Sequence, residues 1–219
     1  VILAGRVTVN DEVVRMLGSK VDPAHDRVAV DGRALATEPK AYFIVHKPRG
    51  VVTDGVDPWH RPTARALVDT TVRLFSVGRL DLDSAGLVLF MNDGVLAETL
   101  TRTDRPLQEI DHVRVTGRPD AADLRRLRRG LVTGERRLPP LAADLLAADA
   151  DGRHSWVRIV ASSPDARQAR TALDAIGHPV CHVVRVGYGP LALGDLPEGG
   201  SRRLTADERQ ALRAAANGG

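Results

Sequence analysis

The chain opens with short alternations of apolar and polar positions. Val7 and Val9 flank Thr8, and Val28 and Val30 flank Ala29, while Asn10-Asp11 and Asp31-Gly32 supply turn chemistry. The stretch from Ala4 to Gly32 is predicted to be a module of small strands, followed by a linker around Ala34 to Ala41. A second unit begins at the apolar run Tyr42 to His46, read as a buried strand that Pro48 and Gly50 stop. Asp54 to Arg61 mixes Gly, Pro, His and Trp, which suits a functional loop. Pro62 can open a short helix over Thr63 to Val68. Leu87 to Met91 reads as a strand, Asn92-Asp93-Gly94 as its stop, and Val95 to Thr101 as a helix.

The second half continues in mixed order. His112 to Thr116 alternates like a strand. Asp120 to Leu131 carries Leu124, Leu127 and Leu131 at helical spacing, with arginines between them. Ser155 to Val160 is a predicted strand. A helix follows, with Ser163 as cap, Pro164 at its first position and Gly177 closing it. Val180 to Val186 returns as a strand. Thr205 and Glu208 form the sequence of a capping box ahead of a last helix. Strands and helices intermix without regular alternation, so an α+β fold is expected rather than a parallel doubly wound sheet.

One segment breaks the apolar logic. In Val77 to Gly94, "VGRLDLDSAGLVLFMNDG", Arg79, Asp81 and Asp83 interrupt runs that otherwise belong to a core. Either this is a surface turn between strands or one carboxylate does chemistry.

Composition narrows the options. The 219 residues suffice for one large domain or a domain with a small appendage, and 43% are hydrophobic, near the globular average. The net charge is +3, and the basic residues are almost all Arg; the lysines are Lys20, Lys40 and Lys47 alone. Arg grips phosphate with a planar fork, so such a surface is compatible with nucleic acid without establishing it. Cys181 is the single cysteine, which excludes an internal disulfide. No apolar run approaches the roughly 20 residues that cross a membrane, and no secretory signal pattern opens the sequence; a cytoplasmic location without membrane contact is expected. The histidines lack metal-ligand spacing, so no metal is expected. Nucleotide-binding glycine loops and the G-x-S-x-G elbow are absent, so no cofactor is expected either.

Five segments occur in series: "KPRGVVT" (Lys47 to Thr53), "DPWHRPT" (Asp57 to Thr63), "VGRLDLDSAGLVLFMNDG", "AIGHPV" (Ala175 to Val180) and "GPLALGDLPEGGSRRLTADE" (Gly189 to Glu208). From residue 40 to about residue 210, this succession resembles the bacterial pseudouridine synthases of the RsuA/RluB family. The first segment resembles the second half of an S4 RNA-binding domain, without that domain's basic first helix. The resemblance implies a partial S4-like module at residues 1–37 and a catalytic domain at 40–219, with a mixed, mainly antiparallel central sheet.

It further implies cofactor-free isomerisation of uridine to pseudouridine in RNA, with ribosomal RNA the expected partner and a monomer the expected state. Asp81 matches the family's catalytic aspartate, and Asp83 is expected to be structural. Arg170, in "ARQART", matches an arginine that pairs with the catalytic carboxylate, and Gln168 matches beside it. Arg79 matches the arginine of the catalytic motif. Lys47 and Arg49 match a basic pair after the first strand of that domain.

The sequence also departs from the family. A K-x-Y strand is expected to supply a tyrosine that stacks on the base; Ile110 and His112 are read at the Lys and Tyr places. Pro164, Asp165, Ala166 and Thr171 replace the usual basic entry to the last catalytic helix, and His182 replaces a basic residue. An RNA-binding homologue without catalysis, active in ribosome biogenesis or resistance, and altered chemistry on a free nucleoside or nucleotide both remain open at this point.

Overall fold

The computed structural model describes residues 1–22, 25–35, 38–101, 106–133, 136–162 and 166–217, and the chain divides into two units, Val1–Pro39 and Lys40–Gly219.

The first unit is a four-stranded antiparallel sheet. Strands β1 (Val7–Val9), β2 (Glu12–Val14), β3 (Val28–Val30) and β4 (Arg33–Ala34) lie in the order β2-β1-β3-β4. Two-residue turns close its hairpins, with positive φ at Asn10 and Asp11 (52° and 69°) and at Asp31 and Gly32 (50° and 74°). These are the left-handed pairs that match the twist of a tight hairpin. An Arg6–Asp31 ion pair at 2.5 Å fastens the second turn to the start of the sheet.

The second unit is built on β5 (Tyr42–Lys47), β6 (Phe75–Val77), β7 (Ser84–Met91), β8 (Glu109–Thr116), β9 (Leu131–Thr133), β10 (Arg136–Leu138), β11 (Ala142–Ala148), β12 (His154–Ala161), β13 (Val180–Tyr188), β14 (Leu191–Ala192) and β15 (Ser201–Arg203). Its helices are α1 (Gly94–Leu100), α2 (Ala121–Arg129), α3 (Ala166–Ala175) and α4 (Ala206–Asn217), with a short 3-10 turn at Ala64–Leu67. The main sheet runs β11-β12-β8-β13-β7-β5-β15, with β14 on β13 and β6 on β7; β9 and β10 form a separate ribbon. Only the β13–β7 pairing is parallel among the described strands. The fold is therefore α+β with a mixed, mainly antiparallel sheet.

Alternation divides the side chains between two faces. On one, Tyr42, Ile44, Leu87, Leu89 and Met91 pack with Leu96 and Leu100 of α1 and Leu212 of α4. On the other, Phe43, Val45, Val88 and Phe90 pack with Ala64, Val68 and Leu80. Val183 pairs with both Ser84 and Val113, which carries this second face across to β8 and β12. There Val113, Val115, Val157 and Ile159 pack beneath Leu127 of α2 and Ala172 and Leu173 of α3.

Several expected boundaries move. The strand read from Leu87 starts at Ser84, and the one read from His112 starts at Glu109. Both gain polar positions that the apolar pattern disguised. The helix read to Leu131 ends at Arg129: Gly130 takes φ 81° and Leu131 opens β9. Its cap is a reciprocal pair, Asp120 accepting from the Asp123 amide and Asp123 from the Asp120 amide. Thr205 and Glu208 exchange the two bonds of the expected capping box, at 3.1 and 2.8 Å. The expected cap Ser163 and first-turn Pro164 lie outside the described residues.

Candidate active site

The loop between β6 and β7, residues 78–83, is held from beneath. Leu80 is buried in the Phe43–Phe90 face. Buried Thr53 both donates to the Leu80 carbonyl (2.8 Å) and accepts from the Leu80 amide (3.0 Å). The Gly50 amide donates to the Leu82 carbonyl at 2.7 Å, and the Ser76 amide to Asp54 Oδ2 at 3.1 Å. With its backbone fixed at these points, the loop turns Arg79, Asp81 and Asp83 outward, all three exposed.

Lys47 lies at the end of β5 beside this loop, fully buried. Its ammonium donates to the carbonyls of Pro48 (3.0 Å) and Val51 (2.8 Å). Burial pushes its pKa down to about 8, against the opposing pull of the Asp83, Asp81 and Glu198 carboxylates. The lysine is thus a concealed cation behind the two aspartates rather than an exposed surface charge. Arg49 stands exposed in the turn that follows.

From α3, Arg170 donates to Asp83 Oδ2 at 2.8 Å. This corrects the expected partner: the pairing is with the second aspartate, not with Asp81. Asp83 is two residues further along and reaches the helix, so its role is to hold the loop to α3. Gln168 is half-buried, and its Oε1 has no hydrogen-bond partner among the described residues.

A row of paired positions crosses the sheet below. Lys47 pairs with Gly86, Gly86 with Arg185 and Arg185 with Asp111, over β5, β7, β13 and β8. Arg185 is buried and donates Nε to Asp111 (3.1 Å) and Nη2 to Glu109 (2.5 Å). One guanidinium thus faces two buried carboxylates. Burial pushes Glu109 up to about 7; Asp111 adds to the rise and Arg185 opposes it. Gly86 makes room for this row. A Cβ there would stand 2.3 Å from the Arg185 carbonyl oxygen, and the backbone has φ 117°.

His112 is not brought together with these groups. It follows Asp111 on β8, so its side chain takes the opposite face from Arg185 and Asp111. Burial and the Arg158 charge lower its pKa. Its pairing with Val184, and that of His182 with Arg114, set these side chains on that face, where Trp156 meets His182 edge-on at 6.1 Å. A histidine stacked over the Lys47–Asp111 row is therefore ruled out by strand register.

The buried cluster Glu109, Asp111 and Arg185 escaped sequence reasoning. Its signal was present in "EIDHVRVT", where Glu109 and Asp111 share the period of Val113 and Val115.

Residues 41–175 match the family described as RNA pseudouridylate synthase. The chain is 35% identical to the ribosomal large subunit pseudouridine synthase B of Bacillus subtilis, over 98% of this chain and 88% of that protein. It is 32% identical to the protein of the same name from Escherichia coli O157:H7, over 97% and 76% of the two chains. A solved pseudouridylate synthase superposes with a TM-score of 0.68 at 26% identity, covering 96% of this chain and 90% of that one. A family match across most of the second unit, relatives aligned over nearly all of this chain and a shared fold place the chain in the RNA pseudouridylate synthase family, on its RsuA/RluB branch.

Proposed function

We propose that this protein isomerises uridine to pseudouridine in ribosomal RNA, with Asp81 as the catalytic carboxylate. The observation that carries the assignment is the loop 78–83: an exposed Asp81 on a backbone fixed by Thr53, Gly50 and the Asp83–Arg170 pair. Catalysis gains most from a reacting group that needs no reorganisation on binding substrate.

In the reaction the N1–C1′ bond breaks, the uracil turns, and C5 bonds to C1′; C5 then loses its proton to water and N1 takes one up, so the product is an isomer of the substrate. The protein's tasks are to act on the ribose with one carboxylate, hold the detached base and keep water from C1′. Asp81 takes the first. Arg170 and Lys47 supply positive charge beside the loop. Gln168 Oε1 is an acceptor suited to the N3–H of the turning uracil. Arg79 and Arg49, both exposed, are assigned to phosphate. The strand unit Val1–Pro39 is assigned an S4-like role in RNA binding, and the substrate implies a cytoplasmic location.

The test is release of tritium from ribosomal RNA carrying 5-tritiated uridine. Wild type is expected to release it and Asp81→Asn to release none. Absence of release by wild type from that RNA overturns the assignment.

A further inference from the structure

Trp59 is 74% exposed, on a loop that holds it firmly. An indole left in water forgoes the large burial that aromatic side chains gain in a core. The loop nevertheless keeps it outward. Buried Asp57 accepts the amides of Trp59 and Arg61, both at 3.0 Å. The same carboxylate takes the Arg61 guanidinium through Nε (3.1 Å) and Nη2 (2.5 Å), which holds its pKa down at about 2. His60 adopts φ 54°, a left-handed conformation uncommon for a residue with a side chain. The loop's ends are bound as well, through Val52 with Pro62 (3.0 Å) and Ala64 with Val52 (2.7 Å).

The Arg61 guanidinium sits 4.8 Å from the centre of the indole ring. A cation therefore backs one face of the aromatic plane, and the high exposure leaves the other face open. Arg61 has its charge committed to Asp57, so it orients the ring and is not a free phosphate ligand. Toward Lys47 along the chain, Asp54 accepts the Ser76 amide, and the Thr53 hydroxyl clasps Leu80, the residue before Asp81. The segment that carries Trp59 is thus tied, through residues 53 and 54, to the segment that carries Asp81.

We propose that Trp59 is a stacking platform for an unpaired base next to the target uridine, with Arg61 as the group that fixes its plane. This rests on the assignment of the protein as an RNA uridine isomerase. A uridine taken out of its stack leaves a neighbour with one bare face. An open indole replaces the missing partner, and it does so for any base, because every base has a π face. The site selects single-stranded RNA over duplex, without reading sequence.

The chain has two tryptophans, so Trp156→Phe leaves Trp59 as the sole indole reporter. Its fluorescence is expected to be quenched saturably by single-stranded oligouridylate and unaffected by a blunt RNA duplex. Trp59→Leu is expected to weaken binding of the same oligouridylate about 5- to 150-fold, and Trp59→Phe to retain most of it. Urea midpoints equal to wild type would show that both variants fold. Absence of quenching by the single strand, equal quenching by the duplex, or unchanged affinity in Trp59→Leu overturns the proposal. The isomerase assignment fails separately, through absent tritium release by wild type, and the quenching assay reads the stacking site in either case.

Discussion

Arg170 on α3 and Asp83 at the mouth of β7 stand 87 positions apart in sequence and share a 2.8 Å hydrogen bond. The pair ties the helix to the loop that carries Asp81, so the loop is braced from two sides. Both side chains are partly exposed, and such pairs contribute about 0–1 kcal/mol to stability. Asp83→Asn is therefore expected to leave the urea midpoint nearly unchanged. Its effect belongs on the reaction, where a small misplacement of a catalytic group costs up to about 100-fold. Tritium release should fall about 10- to 100-fold in Asp83→Asn and vanish in Asp81→Asn. Full activity in Asp83→Asn would show that the brace does not position the loop.

Gly86 sets a limit on sequence change. A methyl group there would meet the Arg185 carbonyl oxygen at 2.3 Å and its nitrogen at 2.4 Å, and the backbone at φ 117° disfavours any side chain. Backbone atoms in a sheet centre cannot step aside. Gly86→Ala is expected to lose more than about 3 kcal/mol or fail to fold. A urea midpoint within error of wild type would refute this.

Glu109 and Lys47 move stability with pH in opposite senses. Glu109 is held at about 7, against a reference value of 4.5. Between those values the folded state binds the extra proton, so stability falls as pH rises from about 4.5 to 7. Lys47 is held at about 8, against 10.5. Between those values the unfolded chain binds the extra proton, so stability rises as pH goes from about 8 to 10. Each limb is on the order of 1–3 kcal/mol. The two groups together put a minimum between about pH 7 and 8. Glu109→Gln should flatten the acid limb, and Lys47→Met the alkaline one. Denaturation midpoints that trace the same curve in wild type and both variants would dismiss the effect.

Thr53 joins two loops through one hydroxyl. Thr53→Val keeps the shape and removes both bonds to Leu80. A buried amide and carbonyl left without partners cost about 1–3 kcal/mol. The catalytic loop should loosen with them, lowering kcat more than KM. A rise in KM with kcat unchanged would assign Thr53 to substrate binding instead.

The α+β class and most helices were legible from periodicity, because the leucines of α2 and the capping residues Thr205 and Glu208 act locally. The loop with Asp81 was legible through its charges between apolar runs. What stayed hidden depended on strand register. Glu109 and Asp111 fall outside the strand read from His112, and only pairing with β13 sets them against Arg185. The partner of Arg170 could not be chosen between Asp81 and Asp83 from sequence, since a turn breaks the alternation that would fix their directions. The short strands β9, β10, β14 and β15, and the alanine-rich β11, left weak apolar signals and are defined by their neighbours.

The last strand, β15, pairs among the described strands with β5 alone, the first strand of the second unit. During synthesis β5 therefore waits with one edge bare until nearly all of that unit has emerged. A ribosome stalled before Ser201 would hold a sheet whose backbone donors and acceptors along Phe43–Val45 are free to pair with another chain. The order of translation leaves that edge uncovered until Ser201–Arg203 emerges, and the few residues of β15 act as the seal.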